Sequence, residues 1–270
     1  MNPHIKTPQV LSDETKNKFE ALLAATQDAN IKLPDDSKFI AVLKRVFTFS
    51  DFVSKSCILY PDMFETLMKN GNLQRRFMPG EYNIMLESFL SGVKDVEQLS
   101  IFLRLFRRRE MVRIAWRDLA GWADLSETMA DLSNLADACL EKAVSILYDW
   151  LCLEHGIPVR KDGLKQNLII LAMGKLGGRE LNFSSDVDLI FVYPKNGATQ
   201  GTETSISNEE FFVLLCRRLI KVMSTTTSDG IVFRVDLDLR PYGKSGPLVM
   251  NFDAMESYYQ EQGREWERYA

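Results

Sequence analysis

The chain has 270 residues, 46% hydrophobic and 26% charged, with a formal net charge of −4, enough apolar content to bury a real core in one or two domains. No apolar run approaches bilayer length and Met1-Asn2-Pro3-His4-Ile5-Lys6 has no hydrophobic stretch of a signal peptide, which argues against membrane insertion and secretion. Slight acidity argues against a nucleic-acid backbone as the main substrate, and the dispersed Cys57, Cys139, Cys152 and Cys216 suggest neither a metal knuckle nor a disulfide framework, which points to a reducing, cytoplasmic setting.

Up to about Leu125 the chain reads as helices broken at turns such as Tyr60-Pro61-Asp62 and Met78-Pro79-Gly80, with no convincing strand. Within this region Arg109, Arg113 and Arg117 recur every four residues and predict a basic stripe, solvated or paired with acids such as Glu110 and Asp118. Trp116, Trp122 and Trp150 fall in helical apolar patterns and are read as core. Ser126 is a candidate cap for a helix whose Leu132, Leu135, Ala136, Cys139, Leu140, Ala143 and Leu147 keep a three-four spacing.

A first strand is expected at Leu168-Ile169-Ile170-Leu171-Ala172-Met173, a continuous apolar run ended by glycine. A glycine-rich turn from Gly174 follows, and then a second strand, Asp186-Val187-Asp188-Leu189-Ile190-Phe191-Val192-Tyr193, which stops at Pro194 and a Lys195-Asn196-Gly197 loop signal. Ser207-Asn208-Glu209-Glu210 is a capping-box pattern, and Phe211, Leu215, Leu219 and Val222 form one face of the helix behind it, which should pack on the sheet. From Arg234 the run Ile231 to Arg240 alternates polar and apolar, predicting a strand with one wet face that carries Arg234, Asp236, Asp238 and Arg240; Pro241 ends it.

The chemistry concentrates between the first two strands. Asp186 and Asp188 sit two apart, so a strand points both the same way. Two carboxylates this close repel unless a cation intervenes, and hard oxygen ligands on a rigid strand suit Mg²⁺, which also binds phosphate oxygens. Gly174, Gly177 and Gly178 would let backbone amides approach a polyphosphate, with Ser184 and Ser185 adding hydroxyl donors. His4 and His155 are the only histidines, so no histidine triad or zinc site is expected.

Gly174-Lys175, ten residues, then Asp186-Val187-Asp188 resembles the DNA polymerase β-like nucleotidyltransferases, although Lys175 stands where Gly or Ser is usual. The longer block Gly174-Lys175-Leu176-Gly177-Gly178-Arg179-Glu180-Leu181-Asn182-Phe183-Ser184-Ser185-Asp186-Val187-Asp188-Leu189-Ile190-Phe191 is similar to one family in particular. That family is the bifunctional glutamine synthetase adenylyltransferase and adenylyl-removing enzymes. Phe47 to Val53, Leu103 to Ala115, Arg234 to Val249 and Tyr258 to Tyr269 resemble it too, whereas the first forty or so residues and the loop near Gly201 look unconstrained.

The resemblance implies an α+β fold: a small mixed sheet with helices, preceded by an all-helical region. The expected domains are 1–125 helical, 126–252 the nucleotidyltransferase core, and 253–270 the start of a following helical domain, cut in mid-helix at Ala270. Asn182-Phe183-Ser184-Ser185 and the upstream blocks resemble the N-terminal, deadenylylating half of the family. The implied activity is Mg²⁺-dependent phosphorolysis of the adenylylated tyrosine of glutamine synthetase, releasing ADP. Asp236 is implied as a third metal-site carboxylate beside Asp186 and Asp188. Arg240 is implied as a guanidinium clamp on phosphate with Gly174, Lys175, Gly177, Gly178, Ser184 and Ser185, and Asp238, where the family often has Arg, as either a fourth acid or a partner of Arg234 or Arg240. Implied partners are glutamine synthetase, the PII signal protein, phosphate and ADP or ATP, with neither nucleic acid nor membrane. ATP-dependent adenylylation and a non-catalytic nucleotide-sensing module are the alternative readings.

Overall fold

The computed structural model describes residues 9–69 and 71–268; His4 with the N-terminal run, Tyr269 and Ala270 lie outside them. The chain divides into two compact units, 1–78 with 108–131, and 79–107 with 132–270.

The first unit is helical, as the broken apolar periodicity predicts. It contains α1 (Gln9–Asp28), α2 (Ser37–Phe49), α3 (Asp51–Leu59) and α4 (Pro61–Lys69), with residues 108–120 of α6 (Val96–Ala120) and 125–131 of α7 (Leu125–His155). Local chemistry sets the boundaries. Asp36 caps α2 by accepting from the Lys38 amide, Ser50 caps α3 by accepting from Val53, and Pro61 opens α4 where its missing N–H costs nothing. Leu43, Phe47, Phe64, Val112 and Trp116 are fully buried in one cluster. Phe64 sits 5.4 Å from Trp116, and Phe39 stacks on its indole at 6.0 Å.

The arginine stripe of α6 is paired with acids, as expected, but it is not solvated. Arg113 is fully buried and donates to Glu110 at 3.0 Å and to Asp131 at 2.7 Å, while Arg117 donates to Glu127. Asp118 accepts from Thr128 instead. The helix start at residue 125 also differs from the sequence expectation. Asp124, not Ser126, accepts the Glu127 amide at 2.8 Å, so α7 begins at Leu125.

The second unit holds α5 (Glu81–Phe89), the rest of α6 and α7, and a four-stranded mixed sheet. β2 (Ile169–Met173) pairs antiparallel with β3 (Val187–Tyr193). β5 (Val235–Asp236) and β6 (Val249–Asn251) both run parallel to β3, one beside its start and one beside its end. β3 is buried at Val187 and from Leu189 to Tyr193, which is why its sequence is continuously apolar beyond Asp188. The capping box at Ser207 forms as expected and starts α9 (Asn208–Ser224), whose Phe212 stacks on Tyr193 of β3 at 5.0 Å. The fold is therefore α+β with a small mixed sheet.

Three expectations are corrected. A further antiparallel pair, β1 (Ile157–Arg160) with β4 (Gly197–Gln200), precedes and follows the main strands, where a loop was expected near residue 197. Gly156 permits it: φ is +84°, and a Cβ there would meet the Gln200 carbonyl oxygen at 2.5 Å. The glycine-rich turn is a one-turn helix, α8 (Gly174–Gly177). Finally, the strand over 231–240 shrinks to Val235–Asp236. Val232 and Phe233 donate to the Met223 carbonyl at the end of α9, and beyond Asp236 the chain turns. α10 (Phe252–Glu261) follows β6, capped by Asn251.

Candidate functional site

Asp188 and Asp236 are register partners across the parallel β3–β5 pair, which brings together two acids distant in the chain. Asp186 stands one residue before β3, two positions from Asp188. The electrostatics report the crowding. The Asp188 carboxyl is pushed above the ordinary aspartate range, first by desolvation, then by the charges of Asp236 and Asp186, with Lys175 opposing the shift. Nothing forms an ion pair with Asp188 or Asp236 among the described residues, whereas Asp186 accepts from the Arg234 guanidinium. Arg234 also donates to the Ser184 carbonyl at 2.7 Å. Among the described residues no three His, Cys, Asp or Glu side chains are clustered as ready metal ligands; Asp186 engages Arg234 rather than its fellow acids.

The glycines shape the wall of this site. Gly174 has φ +54°, and a Cβ there would lie 2.7 Å from Asp188 Oδ2, so only glycine lets the backbone pass this close to the carboxylate. Gly177 has an internal reason to be glycine, since its Cβ would meet the Ala172 carbonyl oxygen at 2.5 Å. At Gly178 the nearest atom would be 3.5 Å away, an ordinary contact. Lys175 is exposed beside them.

The loop from Arg179 to Ser185 is held by contacts that the sequence did not announce. Arg179, with φ +58°, donates to Asp137 at 3.0 Å and also to Asn134 on α7, and the Leu181 amide donates to Ser133. Asn182 organises the serines: its Oδ1 accepts from the amide and hydroxyl of Ser184, and its amide donates to Ser185 Oγ. The two serines thus stand just ahead of the acids, engaged within their own turn.

Beyond Asp236 the four charged residues do not share a strand face. Asp236 Oδ1 accepts the Asp238 amide at 2.7 Å, which turns the chain. Asp238 then pairs with Lys244 at 3.2 Å, not with Arg234 or Arg240. Arg240 donates to the carbonyls of Leu237 and Lys244, so its guanidinium braces the loop after β5. Arg234 is the site residue that the sequence reading missed; its position two residues before Asp236 was visible, but only the fold reveals its contact with Asp186.

Asp186, Asp188 and Asp236 are each partly exposed. A cavity of about 500 Å³ elsewhere in this unit, lined among others by Leu140, Val144, Tyr148 and Ile170, includes none of them. Chemically, Asp188 and Asp236 could take a cation between them, joined by Asp186 once it releases Arg234, and the glycine-rich backbone with the basic side chains Lys175 and Arg234 could meet an anionic ligand. No helix of the described residues is long and apolar enough to cross a membrane.

Comparison with known proteins agrees with the motif. Residues 40–270 match the family described as glutamate-ammonia ligase adenylyltransferase. A protein of Nitrosococcus oceani named bifunctional glutamine synthetase adenylyltransferase/adenylyl-removing enzyme is 46% identical over 266 residues, covering 98% of this chain and 28% of that protein. Proteins of the same name from Shewanella loihica and Pseudomonas syringae pv. tomato are 44% and 50% identical, over 97% and 84% of this chain and 27% and 23% of their own lengths. The chain thus spans less than a third of the length of these curated relatives.

Proposed function

The chain belongs to the glutamate-ammonia ligase adenylyltransferase family, and from that premise we propose that it carries the adenylyl-removing activity, transferring AMP from a tyrosine of glutamine synthetase to inorganic phosphate. The observation that carries this reading is the pairing of Asp188 with Asp236 in register, beside Asp186. The choice of deadenylylation over its reverse rests on the resemblance of Asn182-Phe183-Ser184-Ser185 and the upstream blocks to the N-terminal half of the family.

In the proposed reaction a phosphate oxygen attacks the α-phosphorus of the adenylylated tyrosine, the bond from phosphorus to the tyrosine oxygen breaks, and ADP and the phenolate leave; solvent protonates the phenolate, whose acid has a pKa of about 10. Asp186, Asp188 and Asp236 would hold Mg²⁺. The fit is chemical: Asp188 is burdened by two neighbouring carboxylates, is eased only in part by the charge of Lys175, and forms no ion pair among the described residues. Held there, the ion would supply positive charge for the phosphoryl oxygens and for the departing phenolate. The chain's own residues do the positioning. Gly174 brings the backbone against Asp188, Lys175 offers an exposed cation, and Arg234 would exchange its contact with Asp186 for an anionic oxygen of the substrate. Arg240 acts by bracing the loop that follows Asp236.

We place the reaction in the cytoplasm, where free thiols such as the buried Cys57 and Cys216 persist, with the PII signal protein as regulator. The test is product analysis. With adenylylated glutamine synthetase, Mg²⁺ and radiolabelled phosphate, the reading requires label in ADP. With ATP and unmodified glutamine synthetase, release of pyrophosphate in its place would assign the opposite, adenylylating reaction to this chain.

A further inference from the structure

Arg104 on α6 is 95% buried, at 5% relative exposure, yet no carboxylate of the described residues forms an ion pair with it. Among the described residues its guanidinium donates from Nη1 to Ser100 Oγ at 2.6 Å, and its buried Nε has no partner. The other two arginines buried this deeply in α6, Arg113 and Arg117, both sit against acids. Burying a guanidinium without a counter-charge is costly, and removal from water is normally offset by an anion.

Arg104 lines a cavity of about 520 Å³ between α6 and the end of α9, together with Ser100, Lys221, Thr225 and Thr227. The cavity wall therefore offers one buried guanidinium and an exposed ammonium, charged donors that recognise an oxyanion, while the hydroxyls of Ser100, Thr225 and Thr227 already donate to the carbonyls of Val222, Lys221 and Gly230. Two acids, Glu97 and Asp229, also line it, so a ligand with its acid group at Arg104 and hydrogen-bond donors elsewhere matches the wall best. The carboxyl end of α9 adds a partial negative charge nearby, part of which Ser100 satisfies by donating to the Val222 carbonyl at 3.2 Å.

We infer that this cavity is a binding site for a small oxyanion, a phosphate group or a carboxylate, with Arg104 as its buried anchor and Lys221 at its rim. The site is separate from the acids of β3 and β5, and nothing in the inference depends on the proposed activity. It is nevertheless connected to them: one turn on, Ser224 Oγ donates to the Phe233 carbonyl and accepts the Val235 amide, tying the end of α9 to the strand that carries Asp236.

The test is titration calorimetry with inorganic phosphate and, separately, malonate, in EDTA, on the unaltered protein, Arg104→Gln and Lys221→Ala. One saturable site is expected for at least one probe, weakened roughly tenfold or more in each variant, the scale of one charged hydrogen bond. Phosphate alone would mark a phosphate site, and malonate alone a carboxylate site. Lys221 is exposed, so Lys221→Ala keeps the test decisive even where Arg104→Gln fails to fold. No saturable binding of either probe, or binding of equal strength in Lys221→Ala, would overturn the inference.

Discussion

Asp188 and Asp236 are register partners across two parallel strands, with no cation of the described residues in an ion pair with either, while Asp186, just outside the strand, is already engaged by Arg234. The fold thus gathers negative charge at one edge of a small sheet and leaves most of it unbalanced. Charge placed against its own stability is characteristic of a site that waits for a ligand.

Replacing Asp188 with Asn should therefore stabilise the fold while removing activity. The Asp188 pKa is raised in the folded state, so its ionisation opposes folding: the penalty is absent at acid pH and grows as pH rises through the window above the ordinary aspartate range. In EDTA at pH 7 we expect Asp188→Asn to gain roughly 0.5–1 kcal/mol, a small figure because the group is partly solvated. Melting curves in EDTA should converge as pH falls toward 4, and Mg²⁺ should raise Tm in the unaltered protein but not in the variant.

The three glycines should separate by mechanism. Gly174→Ala puts a methyl group against Asp188 Oδ2 at a positive φ and should abolish turnover. Gly177→Ala forces Ala172 and α8 apart, costing about 1–3 kcal/mol of stability. Gly178→Ala, with 3.5 Å to its nearest neighbour and an ordinary φ, should fold and react normally. Activity and Tm measured side by side check all three.

Arg113→Met in the helical unit should cost about 3–5 kcal/mol in urea unfolding, because it leaves Asp131 buried without its guanidinium partner and Glu110 with Arg109 in place of two arginines. Burial already raises the Asp131 pKa, and Arg113 opposes that shift. Without Arg113 the carboxyl shifts further up, so the variant's deficit should shrink as pH falls. A loss below 1 kcal/mol at pH 7 would show that α6 and α7 are held otherwise.

Arg218 makes a bidentate contact with Glu154 at 2.7 Å on both arms, which lowers the Glu154 pKa chiefly through hydrogen bonding. Here the sign reverses: the stabilisation is present above the ordinary glutamate range and is lost as pH falls through the lowered folded value. Arg218→Ala should cost about 0.5–1 kcal/mol at pH 7, limited by exposure, and the difference should fade below pH of about 4.

Elements with a continuous apolar pattern were readable from sequence. Ile169 to Met173 and Val187 to Tyr193 are unbroken runs between turn signals, and the Ser207 capping box marks its helix in four letters. Elements made by tertiary contact were not. Ile157–Arg160 is four residues long and contains a proline, and it becomes a strand only because Gly197–Gln200 returns beside it. The alternation from Arg234 promised a long strand, but local bonding by the Asp236 side chain ends it after two residues. The arginine period of α6 was visible; its burial was not, because Glu127 and Asp131 arrive from another helix. At the site, Asp186 and Asp188 announce themselves by spacing, whereas Arg234 gains meaning only when β5 lies beside β3.

The most direct measurement is Mg²⁺-dependent ADP release from adenylylated glutamine synthetase and phosphate by the unaltered protein beside Asp186→Asn. The account predicts phosphate-dependent ADP from the unaltered protein and none above background from the variant, which should melt at a temperature similar to that of the parent. Full metal-dependent ADP release by Asp186→Asn would contradict the assignment of the acids at β3 and β5 as the reacting centre.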